Sequence, residues 1–123
     1  MVKTVAIVGA SSDRRKFGNK ALRAFRHQGH RVVPINPNER EVEGEPCHAS
    51  VLDVPGPIDM VSFYVPPDIG VTLLEGVARK QIRELWLNPG AESPELIARA
   101  RTLGLEPTVA CSIIGVGEDP GAY

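Results

Sequence analysis

The sequence predicts an α/β fold in three layers: a mostly parallel five-stranded sheet between helices, in one domain over residues 1–123. Three observations carry this expectation. Short apolar runs rich in β-branched residues alternate with stretches whose apolar positions recur at helical spacing. The runs stop at turn-forming residues, namely Gly9, Asn36-Pro37, Pro66-Pro67 and Asn88-Pro89-Gly90. The helical stretches begin and end on capping signals. Alternation of this kind implies parallel strands joined by right-handed crossovers, with helices on both faces.

Taken in order, Val2 to Val8 reads as a buried first strand closed by Gly9-Ala10. A polar, basic loop, Ser11 to Lys16, precedes a helix over Phe17 to Gln28, with Ala21, Leu22, Ala24 and Phe25 on its apolar face and Gly29 just past its end. Arg31 to Ile35 is the second strand. Pro34 inside it can supply no ladder N–H, which argues for an edge or a bulge. Residues 38 to 57 are rich in Gly and Pro, lack periodicity, and read as a connection holding one short turn of structure. Ile58 to Val65 is the third strand. Pro67 opens the next helix, where a missing N–H costs nothing, and Ile69, Leu73, Leu74, Val77 and Ala78 form its inner face. Glu84 to Leu87 is the fourth strand. Ser93-Pro94-Glu95 starts a helix with Ser at the N-cap, carried on by Leu96, Ile97, Ala100 and Leu103 to Gly104. Leu105 to Ala110 is the fifth strand, and Gly115 to Tyr123 reads as a loosely held tail.

Composition narrows the function classes. With 14 Lys+Arg against 15 Asp+Glu, the net charge of -1 argues against a nucleic-acid surface or a polybasic membrane patch. No apolar run approaches the roughly 20 residues that span a bilayer. The opening MVKTVAIVGA starts like a signal peptide but meets Gly9 and the charged DRRK too early, so it reads as a strand. Cys47 and Cys111 form no CxxC, and reduced thiols in the cytoplasm are the expectation.

In open parallel sheets the ligand lies beyond the carboxyl ends of the strands, where strand order reverses. Three loops fall there: Gly9-Ala10-Ser11-Ser12, Val65-Pro66-Pro67 and Asn88-Pro89-Gly90. Gly9 permits a tight turn, and the small residues after it let backbone approach a ligand. The helix that follows directs free N–H groups and its positive dipole end at that point, which favours an anion. Arg14, Arg15 and Lys16 add charge beside it, and Gly18 allows close packing of the helix start. The spacing departs from GxGxxG, since the next glycine after Gly9 is Gly18; an ordinary βα turn with a solvated basic loop is the competing reading. After the second strand no acid stands where a ribose hydroxyl would be read. Asn36-Pro37-Asn38 comes first, then Glu39, and then Arg40, which suits a ribose phosphate. That pattern favours NADP or coenzyme A over NAD.

The blocks GASSDRRKFG, VVPINPNEREVEG, VSFYVPP and LWLNPGAES, followed by Cys111, occur in this order across nearly the whole chain. In this the sequence resembles the small CoA-binding domain proteins, relatives of the nucleotide-binding domain of the succinyl-CoA synthetase α-subunit. The resemblance implies a Rossmann-like domain that binds coenzyme A, or an acyl-CoA, without a reaction of its own. It implies that Gly9, Ala10, Ser11, Ser12 and Lys16, with Phe17 and Gly18 at the helix start, hold the pyrophosphate. It further implies that Asn36, Pro37 and Arg40 line the adenosine 3′-phosphate side. Val65, Pro66 and Pro67 would cover the adenine or pantetheine, and Asn88, Pro89 and Gly90 would close the crevice. The synthetases' phosphorylated histidine belongs to a further domain, so the likeness brings no expectation of ligase activity.

Other residues add little. Cys47-His48 lacks a third orienting group, and neighbours in an extended chain point apart. Cys111 follows the fifth strand and reads as a small apolar residue at a strand end, although a mixed disulfide with the CoA thiol is conceivable. His27 and His30 suit a helix carboxyl end, and Trp86 suits the core. No CxxC, HExxH, GxxxxGK[ST] or GxSxG is present. Two other readings stay open: an NAD(P)-linked oxidoreductase or redox sensor, and a protein-interaction domain with a vestigial nucleotide site. A homodimer or another protein partner would be compatible with the open edges of such a sheet.

Overall fold

The computed structural model describes residues 1–123. Its elements run β1 (Thr4–Val8), α1 (Phe17–His27), β2 (Arg31–Ile35), β3 (Glu41–Val42), β4 (Glu45–Pro46), β5 (Met60–Phe63), α2 (Pro67–Arg79), β6 (Glu84–Leu87), α3 (Pro94–Thr102), β7 (Thr108–Val109) and α4 (Ser112–Gly115). Five strands form one parallel sheet in the order β2-β1-β5-β6-β7, and β3 and β4 form a separate antiparallel hairpin. The chain leaves β1 toward β2 on one side and later returns to place β5 on the other. The strand order therefore reverses between β1 and β5, where crevices form in sheets of this kind.

The core lies in two layers, one on each sheet face. Leu22, Phe25, Val5, Ile7 and Ile113 pack beneath α1 and α4, while Val61, Phe63, Leu74, Val77 and Leu96 pack beneath α2 and α3. β1 and β5 are wholly buried apart from Thr4, as strands covered on both faces must be. The Ser93 side chain accepts the Leu96 N–H at 3.1 Å, so α3 begins as its capping sequence predicts. Pro34 sits in the edge strand β2. Its carbonyl faces outward to the His48 N–H at 3.1 Å, so its ring nitrogen also faces outward and costs no rung with β1.

The structure corrects the sequence reading in three places. The first, third and fifth strands are shorter than predicted, starting at Thr4, spanning Met60–Phe63 and reduced to Thr108–Val109. Among the flanking apolar residues Ile58 is buried without belonging to a strand and Val65 and Leu105 pack partly against the core, whereas Val2 is exposed. The connection over 38–57 holds more than one turn. Glu43 (φ 51) and Gly44 (φ 83) make a two-residue hairpin turn of the primed kind, which lets Val42 bury completely. A 3-10 turn at Val51–Asp53 and an isolated bridge from Ile35 to His48 follow. The tail is held rather than loose: Ile113 is fully buried, and the Tyr123 hydroxyl donates to Glu118 at 2.7 Å and lies 3.1 Å from His27 Nδ1. No helix is long and apolar enough to cross a membrane.

Candidate functional site

A cleft of about 540 Å³ opens at the carboxyl ends of β1, β5 and β6, the size of a small-molecule site. Its floor begins at the β1–α1 turn. Gly9 adopts φ +91, and a Cβ there would stand 2.8 Å from the Tyr64 carbonyl oxygen. Gly18 is tighter still, since a Cβ on it would lie 2.2 Å from the Gly9 carbonyl oxygen. The helix start is therefore pressed directly onto the turn, which Gly18 permits, while Gly9 lets the turn lie against Tyr64.

The turn is braced by side chains that occupy two of its carbonyls. Asn36 Nδ2 donates to the Ala10 carbonyl at 2.8 Å, and the fully buried Asn19 donates to the Ser11 carbonyl at 2.8 Å. Neither Ala10 nor Ser11 has a backbone acceptor for its own N–H, and the same is true of Phe17 and Gly18 in the first turn of α1. α1 has no side-chain cap and no acid in its first turn. With those carbonyls occupied and N–H groups free, this end of the cleft is electropositive in its fixed dipoles alone.

The three loop cations divide. Arg14 pairs with Glu43 at 3.4 Å and Arg15 with Asp13 at 3.0 Å, which holds the Asp13 carboxyl at about 2. Lys16 has no acidic partner and lines the cleft. One mobile charge is thus left for a ligand.

The far wall comes from Asn88. Only 2 % exposed, it donates from Nδ2 to Ser62 Oγ (2.7 Å) and the Phe63 carbonyl (2.8 Å), and it accepts the Ser112 N–H at 2.8 Å. Ser112 Oγ meets Ser62 Oγ at 2.7 Å and the Tyr64 hydroxyl at 2.8 Å. This knot ties the ends of β5 and β6 to α4 and brings Cys111 to the cleft wall. Burial pushes the Tyr64 phenol up to about 12, with the Ser112 bond opposing the rise. The folded chain therefore keeps this proton to higher pH than the unfolded chain does. Stability is whole below pH 10 and falls as pH rises through 12, by about 2–3 kcal/mol in all. Urea unfolding at pH about 9 and 11 should show about half that loss in the parent and a smaller one in Tyr64→Phe; equal losses would remove Tyr64 as its source.

Of the residues predicted for the site, Gly9, Ser11, Lys16, Phe17, Gly18 and Asn36 line one side of the cleft. Val65, Pro66, Asn88, Pro89 and Gly90 line the other. Ala10 is buried beneath the turn, and Ser12, Pro37, Arg40 and Pro67 lie outside the lining. Arg40 is exposed and without an ion pair. Sequence reading did not single out Tyr64, Ala91 or Ser112. Tyr64 was legible only as the strand residue preceding Val65, and nothing in the tail signalled that Ser112 would return to β5. Sequence reading found no acid where a ribose hydroxyl would be read and placed Glu39 just beyond; in the structure the Asn36-Pro37 turn folds back, and the Glu39 carboxylate accepts the Ser12 N–H at 2.9 Å and hydroxyl at 3.0 Å.

Comparison with known proteins agrees with this architecture. A conserved hypothetical protein of Pyrococcus furiosus is similar over 94% of this chain and 99% of its own, at 32% identity and TM-score 0.83. The apo dinucleotide-forming acetyl-coenzyme A synthetase 1 of Ca. Korarchaeum cryptofilum superposes with TM-score 0.74 at 28% identity, over 85% of this chain and 25% of the synthetase. The ADP-forming acetate–CoA ligase I of Archaeoglobus fulgidus is 35% identical over 80 residues, 65% of this chain but 12% of the ligase. The chain thus spans only about an eighth of the curated ligase's length. The sequence model of the CoA binding domain matches residues 3–116, and the chain belongs to that family.

Proposed function

We propose that this chain is a binding module for coenzyme A or an acyl-CoA that holds its ligand across the β1/β5 crevice without transforming it. The observation that carries the reading is the unpaired Lys16 beside the free N–H groups of Phe17 and Gly18, at a turn whose Ala10 and Ser11 carbonyls are already occupied by side-chain amides. A pyrophosphate is the ligand group that two N–H donors, a helix dipole and one ammonium suit. The residues present fit the cofactor: the Gly9–Gly18 contact leaves backbone exposed to it, and the Val65, Pro66 and Pro89 surfaces suit an extended, partly apolar arm. Coenzyme A would bring a thiol to the Cys111 end of the cleft. The names of the similar ligase and synthetase, both of which act on coenzyme A, support the same ligand class.

Thermal unfolding with coenzyme A, acetyl-CoA, NAD, NADP and ATP tests this. A ligand at about 100 times its Kd adds about 2.7 kcal/mol, a shift of roughly 10 °C in a domain of this size. A shift with coenzyme A and not with NAD or NADP is the expected result. A shift with NAD or NADP alone would move the chain to the dehydrogenase class, and silence from all would favour a protein-interaction role. Lys16→Glu should weaken coenzyme A binding about 10- to 100-fold, the worth of one charged hydrogen bond, with the melting point of the free protein little changed. Undiminished affinity by calorimetry would displace the pyrophosphate from this helix.

A further inference from the structure

The clasp between Glu39 and Ser12 has the form of an anion site already filled. Two carboxylate oxygens take two donors of the β1–α1 turn, Oε2 from the Ser12 N–H at 2.9 Å and Oε1 from its hydroxyl at 3.0 Å. Two oxygens of a phosphate would take the same pair. Glu39 is brought there by a built turn: Asn36 is fixed to the Ala10 carbonyl, its own Oδ1 accepts the Asn38 N–H at 2.8 Å, and the Glu39 N–H lies 3.5 Å from the Asn36 carbonyl. Both contacts are exposed, so the carboxylate can leave without breaking the core.

Position gives the clasp its meaning. In an open parallel sheet the pyrophosphate lies on the first helix, and the turn after the second strand meets the ribose. An acid at that turn accepts from ribose hydroxyls and repels a ribose phosphate. Its sequence neighbour Arg40 is exposed and unpaired, and would attract the same phosphate.

We infer that Glu39 is a specificity-determining residue which, by occupying the Ser12 donors at the ribose end, disfavours a phosphate on the ligand's ribose. This rests on the coenzyme A reading above. Arg40 and Glu39 then oppose each other, and the chain discriminates little between coenzyme A and dephospho-CoA, which differ only in the ribose 3′-phosphate.

Titration calorimetry with these two ligands on the parent, Glu39→Gln and Glu39→Lys tests it. The parent should bind both within about threefold. Glu39→Gln keeps an oxygen for the Ser12 N–H but loses the charge. It should raise affinity for coenzyme A about fivefold to tenfold over dephospho-CoA, as expected for removing one nearby like charge at a partly exposed site. Glu39→Lys should widen the gap further, and about 0.5 M salt should narrow it. If Glu39 merely staples the loop, both ligands change by one factor and the ratio stays fixed, which overturns the inference. So does a parent that already prefers coenzyme A strongly, with no change in the variants. A parent that binds neither ligand overturns the coenzyme A reading and this inference together, whereas tight binding with a fixed ratio overturns the inference alone.

Discussion

Replacing Gly18 with alanine is expected to cost about 3 kcal/mol of stability and to abolish tight binding of coenzyme A. A single methyl group there would stand 2.2 Å from the Gly9 carbonyl oxygen and 3.2 Å from Ala10 Cα, both backbone atoms that no rotamer change can move aside. The start of α1 must therefore lift from the turn. Overpacking a tight core contact typically costs 1–3 kcal/mol, and a clash with backbone belongs at the upper end. The helix propensity of alanine returns about 1 kcal/mol at most, too little to compensate. In a domain of this size the loss lowers the melting point by roughly 10 °C. Binding should suffer separately, because the same displacement moves the Phe17 and Gly18 N–H groups relative to Gly9. Comparing Gly18→Ala with Gly76→Ala by urea unfolding isolates the contact. Gly76 is also helical with an ordinary φ, and a Cβ on it meets nothing nearer than the Leu52 side chain at 3.5 Å, so that change adds a methyl without crowding. A Gly18→Ala protein as stable as the parent would mean that the turn and helix are not pressed together as described.

How much of this was legible in the sequence depends on the reach of each contact. β1, α1, α2 and α3 announce themselves because their signals are local: an apolar run before Gly9, Pro67 at a helix start, and Ser93-Pro94 at another. The cleft's near side was legible for the same reason, since Gly9, Lys16 and Gly18 lie within ten residues of one another and the fold class says where the β1–α1 turn points. The hairpin over Glu41–Pro46 was not, because Glu43 takes a positive φ that the usual Asn-Gly or Asp-Gly pair would have advertised. Its conformation is compensated by tertiary contacts: the Glu43 carboxylate meets Asn19 at 3.1 Å and Arg14 at 3.4 Å, and its carbonyl accepts from Arg26 at 2.7 Å. The held tail was equally hidden, since the bonds that order Tyr123 come from Glu118 and from His27, 96 residues away. Glu39 was visible as a residue but not as a site, because only the fold-back after Pro37 brings it to Ser12.

Asn88 is the second position where one side chain decides much. Its loop was expected to close the crevice, but the structure turns the amide inward, to the junction of β5, β6 and α4. Asn88→Ala should cost about 3 kcal/mol, because it strands the buried Ser112 N–H and deletes the bonds to Ser62 and to the Phe63 carbonyl, which keeps only the backbone N–H of residue 88 at 3.4 Å. Asn88→Asp should be at least as damaging. It can still accept the Ser112 N–H, but it places a second oxygen against the Phe63 carbonyl and charge where there is no cation. The loss should not be uniform. α4 is a single short turn, and the Asn88 bond to Ser112 fixes its first residue, so amide exchange at Ile113 to Val116 should accelerate more than exchange in β1. Cys111, beside Ser112, should react faster with a thiol reagent in either variant than in the parent, because the wall that holds it has loosened. Urea unfolding gives the global figure, and hydrogen exchange with thiol labelling gives the local one. A lowered urea midpoint with exchange raised evenly across the sheet would make Asn88 an ordinary core residue. A midpoint within about 1 kcal/mol of the parent would show that Ser62, Tyr64 and Ser112 hold the far wall without it.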